Sequence, residues 1–176
     1  MGVPYVPVLG LVGTDLLARR DDMVLAPDPF GEGKVTVVAR AMRPDVAVFH
    51  AHKADLQGNV SFGYAVDAVI IAEASQHVVV TAEEVVERLE ERDAEATFMP
   101  SILVDAVVHA PFGARPGGLI GRYAPDKAAM EAYALAARDD GAFAEYLQAH
   151  VFDCESEEDY RSRFVPRYAN ELGHVL

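Results

Sequence analysis

Four short stretches of this chain are almost unbroken runs of apolar and β-branched residues: Val35–Val38, Val46–Phe49, Val78–Thr81 and Ile102–Val108. A strand with one face in water alternates apolar and polar residues, whereas a strand covered on both faces reads as a continuous apolar run. Helical patterns lie between these runs. Asp67–Ser75 places Ala68, Ile71, Ala72 and Ser75 at helical spacing. Strand runs alternating with helical segments predict an α/β fold with a mainly parallel sheet flanked by helices. Val3–Leu9 reads as a further strand. Thr81-Ala82-Glu83-Glu84 has the form of a capping box, which predicts a helix from there through Glu91.

After Pro111 the character changes. Gly113, Pro116, Gly117, Gly118 and Gly121 predict a long loop, and loops of that length are often functional. From Asp126 on, the pattern predicts a helical C-terminal region in three segments, broken at Asp139-Asp140-Gly141 and near Cys154, with Ser156 capping the last. Tyr133, Phe143, Tyr146, Leu147, Phe152, Tyr160 and Phe164 give these helices an apolar face. With 176 residues and 51% hydrophobic content, a single domain over residues 1–176 with its own core is expected. A single cysteine excludes a disulfide framework, and a reducing, cytoplasmic setting is expected. The formal charge of -13 argues against nucleic acid and anionic membrane as partners. No apolar run approaches the roughly 20 residues of a membrane span.

Three groups of residues could carry chemistry. His50-Ala51-His52-Lys53-Ala54-Asp55, with Gly58-Asn59, follows a predicted strand, and ligands in open α/β sheets bind beyond the carboxyl ends of strands. His50, His52 and Asp55 could ligate a metal; equally, Asp55, Gly58 and Asn59 could only shape a turn. Glu83 and Glu84 could form an acid/base pair, although capping already accounts for Glu84. In Gly113-Ala114-Arg115, the arginine could hold an anion against exposed loop amides or be an ordinary solvated side chain. Tyr123 and Asp126 read as an anchor for the loop and a cap for the helix after it. Cys154, among acidic residues, reads as inert.

Four stretches then carry a resemblance: Tyr5-Val6-Pro7-Val8 with Gly13-Thr14-Asp15-Leu16-Leu17, the run Pro44 to Asp55 followed by Gly58-Asn59-Val60, Val78 to Val86, and Pro111-Phe112-Gly113-Ala114-Arg115-Pro116. In this order they resemble the α subunit of family I CoA-transferases, of the glutaconate and 3-oxoacid type. The resemblance implies a CoA-transferase-like fold, related to that of sugar-phosphate isomerases. It also implies a reaction in which a glutamate attacks an acyl-CoA thioester and forms a glutamyl-CoA intermediate that a second carboxylic acid resolves. Coenzyme A thioester is then a substrate, with no bound cofactor and no metal.

In two-subunit members the nucleophile lies in a Glu-Asn-Gly context on the β subunit, and this chain contains no Glu-Asn-Gly. The expected partner is therefore a β subunit, and the isolated chain is expected to be inactive. Substrate or CoA contacts are expected from His50, Asp55, Gly58, Asn59, Glu83, Gly113, Ala114 and Arg115, with the loops Asp55–Asn59 and Gly113–Gly118 facing one cleft. The resemblance implies that the family's N-terminal part, with the glycine-rich loop that contributes to the oxyanion hole, precedes the region aligning with Met1. Arg115 stands where the family usually has His. The alternatives are a component of a hydrolase that opens a ring in a CoA thioester, and a structural remnant without catalysis.

Overall fold

The computed structural model describes residues 2–31, 33–65, 67–90 and 97–165. Its backbone divides into two compact units, Met1–Asp45 with Ala74–Gln76, and Val46–Glu73 with His77–Leu176.

The first unit is a three-stranded antiparallel sheet in the order β1-β3-β2, built from β1 (Tyr5–Val8), β2 (Met23–Pro27) and β3 (Val35–Arg40), with a short helix α1 (Asp15–Arg19). Val37, at the centre of the middle strand, is fully buried. Strand β2 has no counterpart among the expected runs.

The second unit holds a five-stranded sheet in the order β7-β5-β4-β6-β8. Its strands are β4 (Val46–Asp55), β5 (Val60–Phe62), β6 (His77–Val86), β7 (Thr97–Met99) and β8 (Ala106–His109). The expected parallel pairing is found in β4-β6-β8, and β5 and β7 add an antiparallel edge, so the sheet is mixed. Helix α2 (Ala68–Ala74) falls within the predicted Asp67–Ser75 and buries Ala68 and Ala72. Small residues on both sides, Ala47, Ala51 and Ala54 on β4 against Ala68 and Ala72, form one core with Val60, Phe62, Val78, Val80 and Met99. Dense packing of this kind leaves little room for a larger side chain.

Three expectations are corrected here. The capping box at Thr81–Glu84 starts no helix: β6 runs on to Val86 because β4 is long enough to pair with it, Lys53 opposite Glu84 and Asp55 opposite Val86. Tertiary pairing thus overrides a local signal; the expected helix end at Glu91 lies outside the described residues. Ile102–Val108 is not one strand, since Ser101–Leu103 forms a 3₁₀ turn and only Ala106–His109 pairs. Nor are the strands covered on both faces throughout, because Val46 and Val48 are 52% and 67% exposed.

The C-terminal helices follow the expected pattern. α3 (Lys127–Ala136), α4 (Asp140–Leu147) with a π-helical turn at Gln148–Phe152, and α5 (Glu157–Phe164) are capped by Asp126, Asp139 and Ser156, each accepting an amide from its first turn.

The β4-β5 turn is built on one buried carboxylate. Asp55, 1% exposed, accepts from the amides of Gln57, Asn59 and Leu89 and from Asn59 Nδ2, all at 2.9 Å. Gly58 has φ +92°, a conformation other residues adopt only under strain. Burial pushes the Asp55 carboxyl up, but the bonds from Asn59, Leu89 and Gln57 outweigh it and hold it below the ordinary aspartate value of 3.8. Its contribution is therefore present above that value and fades as pH falls through the lower folded-state value. Asp55→Ala should destabilise the chain by about 3 kcal/mol near neutral pH, roughly twice the effect of Asn59→Ala, in urea titrations; the difference from wild type should shrink in acid.

Candidate functional site

Parallel pairing of β4 and β6 sets His50 directly opposite Thr81. His50 Nδ1 lies 2.8 Å from Thr81 Oγ1, and its Nε2 lies 2.6 Å from Glu83 Oε1. A carboxylate can only accept, so Nε2 carries a proton, and the Thr81 hydroxyl beside Nδ1 also lies 3.3 Å from Phe49 O. The chain after β8 closes on the same carboxylate: Phe112 N–H donates to Glu83 Oε2 at 2.9 Å and Tyr123 Oη donates to Oε1 at 2.6 Å. Tyr123 Oη in turn accepts from Ala114 N–H at 3.1 Å. Gly113 belongs here for want of space, because a Cβ on it would stand 2.8 Å from Ala110 O and 2.9 Å from His50 Cε1.

The electrostatics follow from this geometry. The Glu83 side chain is 11% exposed. Burial pushes its carboxyl up, but bonds from His50, Tyr123 and Phe112 more than offset that and hold it below the ordinary glutamate value. Burial and the Glu83 carboxylate together push the Tyr123 hydroxyl well above its ordinary value. Glu83 is thus ionised with both oxygens occupied, and Tyr123 stays protonated. Such a carboxylate is a bracket for the loop, not a free nucleophile or base.

Glu83 and Glu84 do not form the acid/base pair that their adjacency allowed. Adjacent strand residues point to opposite faces, and Glu84 instead meets Arg122 at 2.9 Å and Lys53 at 3.9 Å. The amides of Phe112, Gly113, Ala114 and Arg115 are not open to an anion either, since they donate to Glu83, Ala110 O, Tyr123 Oη and Phe112 O respectively. Arg115 is no solvated side chain. It is 7% exposed, with Nη1 3.6 Å from Asp126 Oδ2 and Cζ 5.2 Å from the centre of the Tyr123 ring. Its Nε is buried without a hydrogen-bond partner among the described residues, an arrangement that costs about 1–3 kcal/mol.

The structure therefore gathers His50, Glu83, Gly113, Ala114 and Arg115, together with Thr81 and Tyr123. Thr81 was read from the sequence only as a cap; its role as partner of His50 follows from the strand register. Asp55, Gly58 and Asn59 lie elsewhere. Asn59 Oδ1 accepts from Ser101 N–H, and residues 55–58 share a depression of about 290 Å³ with Val104–Val107 at the start of β8. The Phe112–Arg115 loop follows the carboxyl end of β8 and lines no part of that depression. The metal reading also loses its ligands, since His50 and Asp55 are engaged as described and His52 is 2% exposed. Among the described residues no group of three His, Cys, Asp or Glu side chains could hold a metal ion.

The coenzyme A transferase family model matches residues 1–110. The chain is 30% identical over 180 residues to the A-subunit of glutaconate CoA-transferase from Acidaminococcus fermentans, covering 93% of this chain and 56% of that one. The crystal structure of glutaconate coenzyme A-transferase from the same organism superposes with a TM-score of 0.85 at 26% identity, over 99% of this chain and 60% of that chain. The crystal structure of a cysteine-to-serine variant of the decarboxylase AibA/AibB superposes with a TM-score of 0.69 at 35% identity, over 84% of this chain and 53% of that one. The chain spans between 34% and 58% of the length of the curated relatives it matches.

Because the Glu83 carboxyl is held below its ordinary value of 4.5, its contribution to stability is present above that value and is lost as pH falls through the folded-state value. Glu83→Gln should cost about 2–4 kcal/mol at pH 7, and the gap from wild type should close in acid. Tyr123→Phe should cost about 1–2 kcal/mol. Chemical denaturation across pH checks both.

Proposed function

The chain belongs to the coenzyme A transferase family, and from that premise we propose that it is the α-type subunit of an enzyme that moves CoA between an acyl-CoA and a carboxylic acid. The observation that carries this reading is the state of Glu83. It is the carboxylate at the centre of the site, and both its oxygens are occupied by hydrogen bonds from His50, Tyr123 and Phe112. The chain offers a braced loop and a buried guanidinium, and the attacking carboxylate comes from a partner β subunit. In that scheme the partner's glutamate oxygen attacks the thioester carbonyl, CoA leaves as thiolate, and the thiolate attacks the resulting anhydride to give glutamyl-CoA and the free acid. A second acid reverses these steps. His50, Glu83, Gly113 and Ala114 shape the surface that meets the substrate, while Asp55, Gly58 and Asn59 keep the β4-β5 hairpin in register.

A second reading has one observation in its favour, the likeness at 35% identity to a protein described as a decarboxylase. There the same surface holds a substrate that loses carbon dioxide. Both readings make the chain one part of a larger enzyme.

The purified chain should show no CoA exchange between acyl-CoA and acetate, and no adduct after hydroxylamine or borohydride treatment. Adding a β-type subunit with a Glu-Asn-Gly segment should restore turnover by several orders of magnitude. Carbon dioxide release without CoA exchange by the reconstituted pair would favour the second reading. Turnover by the chain alone, or an adduct on Glu73, Glu83 or Glu84, would contradict the assignment of the nucleophile.

A further inference from the structure

The Arg115 guanidinium has a second environment besides the Tyr123 ring. It forms one wall of a cavity of about 70 Å³ whose other walls include Asp126, Ala132, His150, Tyr160 and Phe164. The side chain is 7% exposed, and its one charged neighbour among the described residues, Asp126 Oδ2, is 3.6 Å from Nη1, beyond hydrogen-bond range. Asp126 Oδ1 is committed to the first turn of α3, accepting from Ala129 N–H at 3.0 Å. The guanidinium makes no side-chain hydrogen bond among the described residues, and its Nε is fully buried without a partner. A charged, planar donor set is thus held out of water next to a partly open space that none of the described residues fills, although buried guanidinium groups are ordinarily paired.

The rest of the lining is mainly aromatic and aliphatic. His150 is stacked between Tyr146, with ring centres 3.9 Å apart, and Phe164, at 4.1 Å, and its Nδ1–H donates to Tyr146 O at 3.0 Å. Both ring faces are therefore covered by carbon. Ala132 and Ala129 leave room where larger residues would close it. A ligand matching this space has a planar two-oxygen anion for the guanidinium fork and a short apolar tail for the aromatic side. At roughly 10–15 Å³ for each water-sized occupant, the volume suits about five non-hydrogen atoms.

We propose that this cavity is a binding site for a small monocarboxylate of acetate or propionate size, seated on Arg115 with its alkyl end against Phe164 and Val165. A tetrahedral dianion fits less well, because Asp126 faces the guanidinium and nothing apolar on a phosphate meets the aromatic wall. The site lies entirely within the second unit and does not depend on CoA transfer: its test contains no CoA, so failure of one reading leaves the other standing.

The test is an NMR titration of the full chain with sodium acetate, propionate or phosphate at constant ionic strength, with the same series on Arg115→Lys and Ala132→Leu. Propionate should bind saturably to wild type and more tightly than phosphate. Arg115→Lys should weaken it roughly tenfold or more, because an ammonium cannot present the planar fork. Ala132→Leu fills the cavity and leaves the guanidinium in place; it should abolish binding with the thermal melt unchanged, which keeps the test decisive if the lysine variant folds poorly. Absence of saturable carboxylate binding, phosphate binding at least as tight as propionate, or unchanged affinity in Ala132→Leu would overturn the proposal.

Discussion

One ionised carboxylate, Glu83, receives hydrogen bonds from three separate parts of the chain: the imidazole on β4, the backbone at Phe112 after β8, and the hydroxyl of Tyr123. Each donor alone is a modest contribution, since folding exchanges bonds to water for bonds within the protein. Together they decide where a glycine-rich loop goes. A loop with Gly113, Gly117, Gly118 and Gly121 has little preference of its own, and without a fixed point it would lose its order. Glu83 supplies that point because it sits on a strand whose position is set by the ladder to β4. The parallel ladder, the carboxylate and the loop form one chain of dependence, and Arg115 is carried into its buried position at the end of it.

Asp55 repeats the device at the other loop, where a buried carboxylate accepts three backbone amides and a side-chain amide. Both groups are acids whose charge the fold stabilises through donors, and both answer to pH in the same direction. They differ in surroundings. The Asp55 cluster is closed on itself and explains a turn. The Glu83 cluster borders the buried guanidinium and brings together most of the residues singled out from the sequence. It organises the loop after β8 without offering a free nucleophile.

Much of this was legible in the residues. The apolar runs marked β3, β4 and β6, the spacing of Ala68 and Ala72 marked α2, and the capping residues Asp126 and Ser156 marked the starts of the last helices. The Gly58-Asn59 turn and the anchoring role of Tyr123 were also readable, because they depend on local chemistry. What was hidden depends on pairing over long separations. The capping box at Thr81 is a genuine local signal, and a ten-residue β4 overrules it; nothing near Thr81 reveals that β4 is so long. Once Thr81 lies on a strand, its hydroxyl turns from a helix end to His50. Similarly, β2 alternates too weakly to stand out.

The central claim is that Glu83 is held as a carboxylate by its donors and is not kept as a poised acid or base. A carbon-detected NMR titration of the Glu83 side-chain carboxyl in the full chain measures this directly. The midpoint should lie below the ordinary glutamate value of 4.5, with the Phe112 amide resonance shifting over the same pH range as their bond breaks. A midpoint at or above that value, or a carboxyl that titrates without disturbing Phe112, would contradict it.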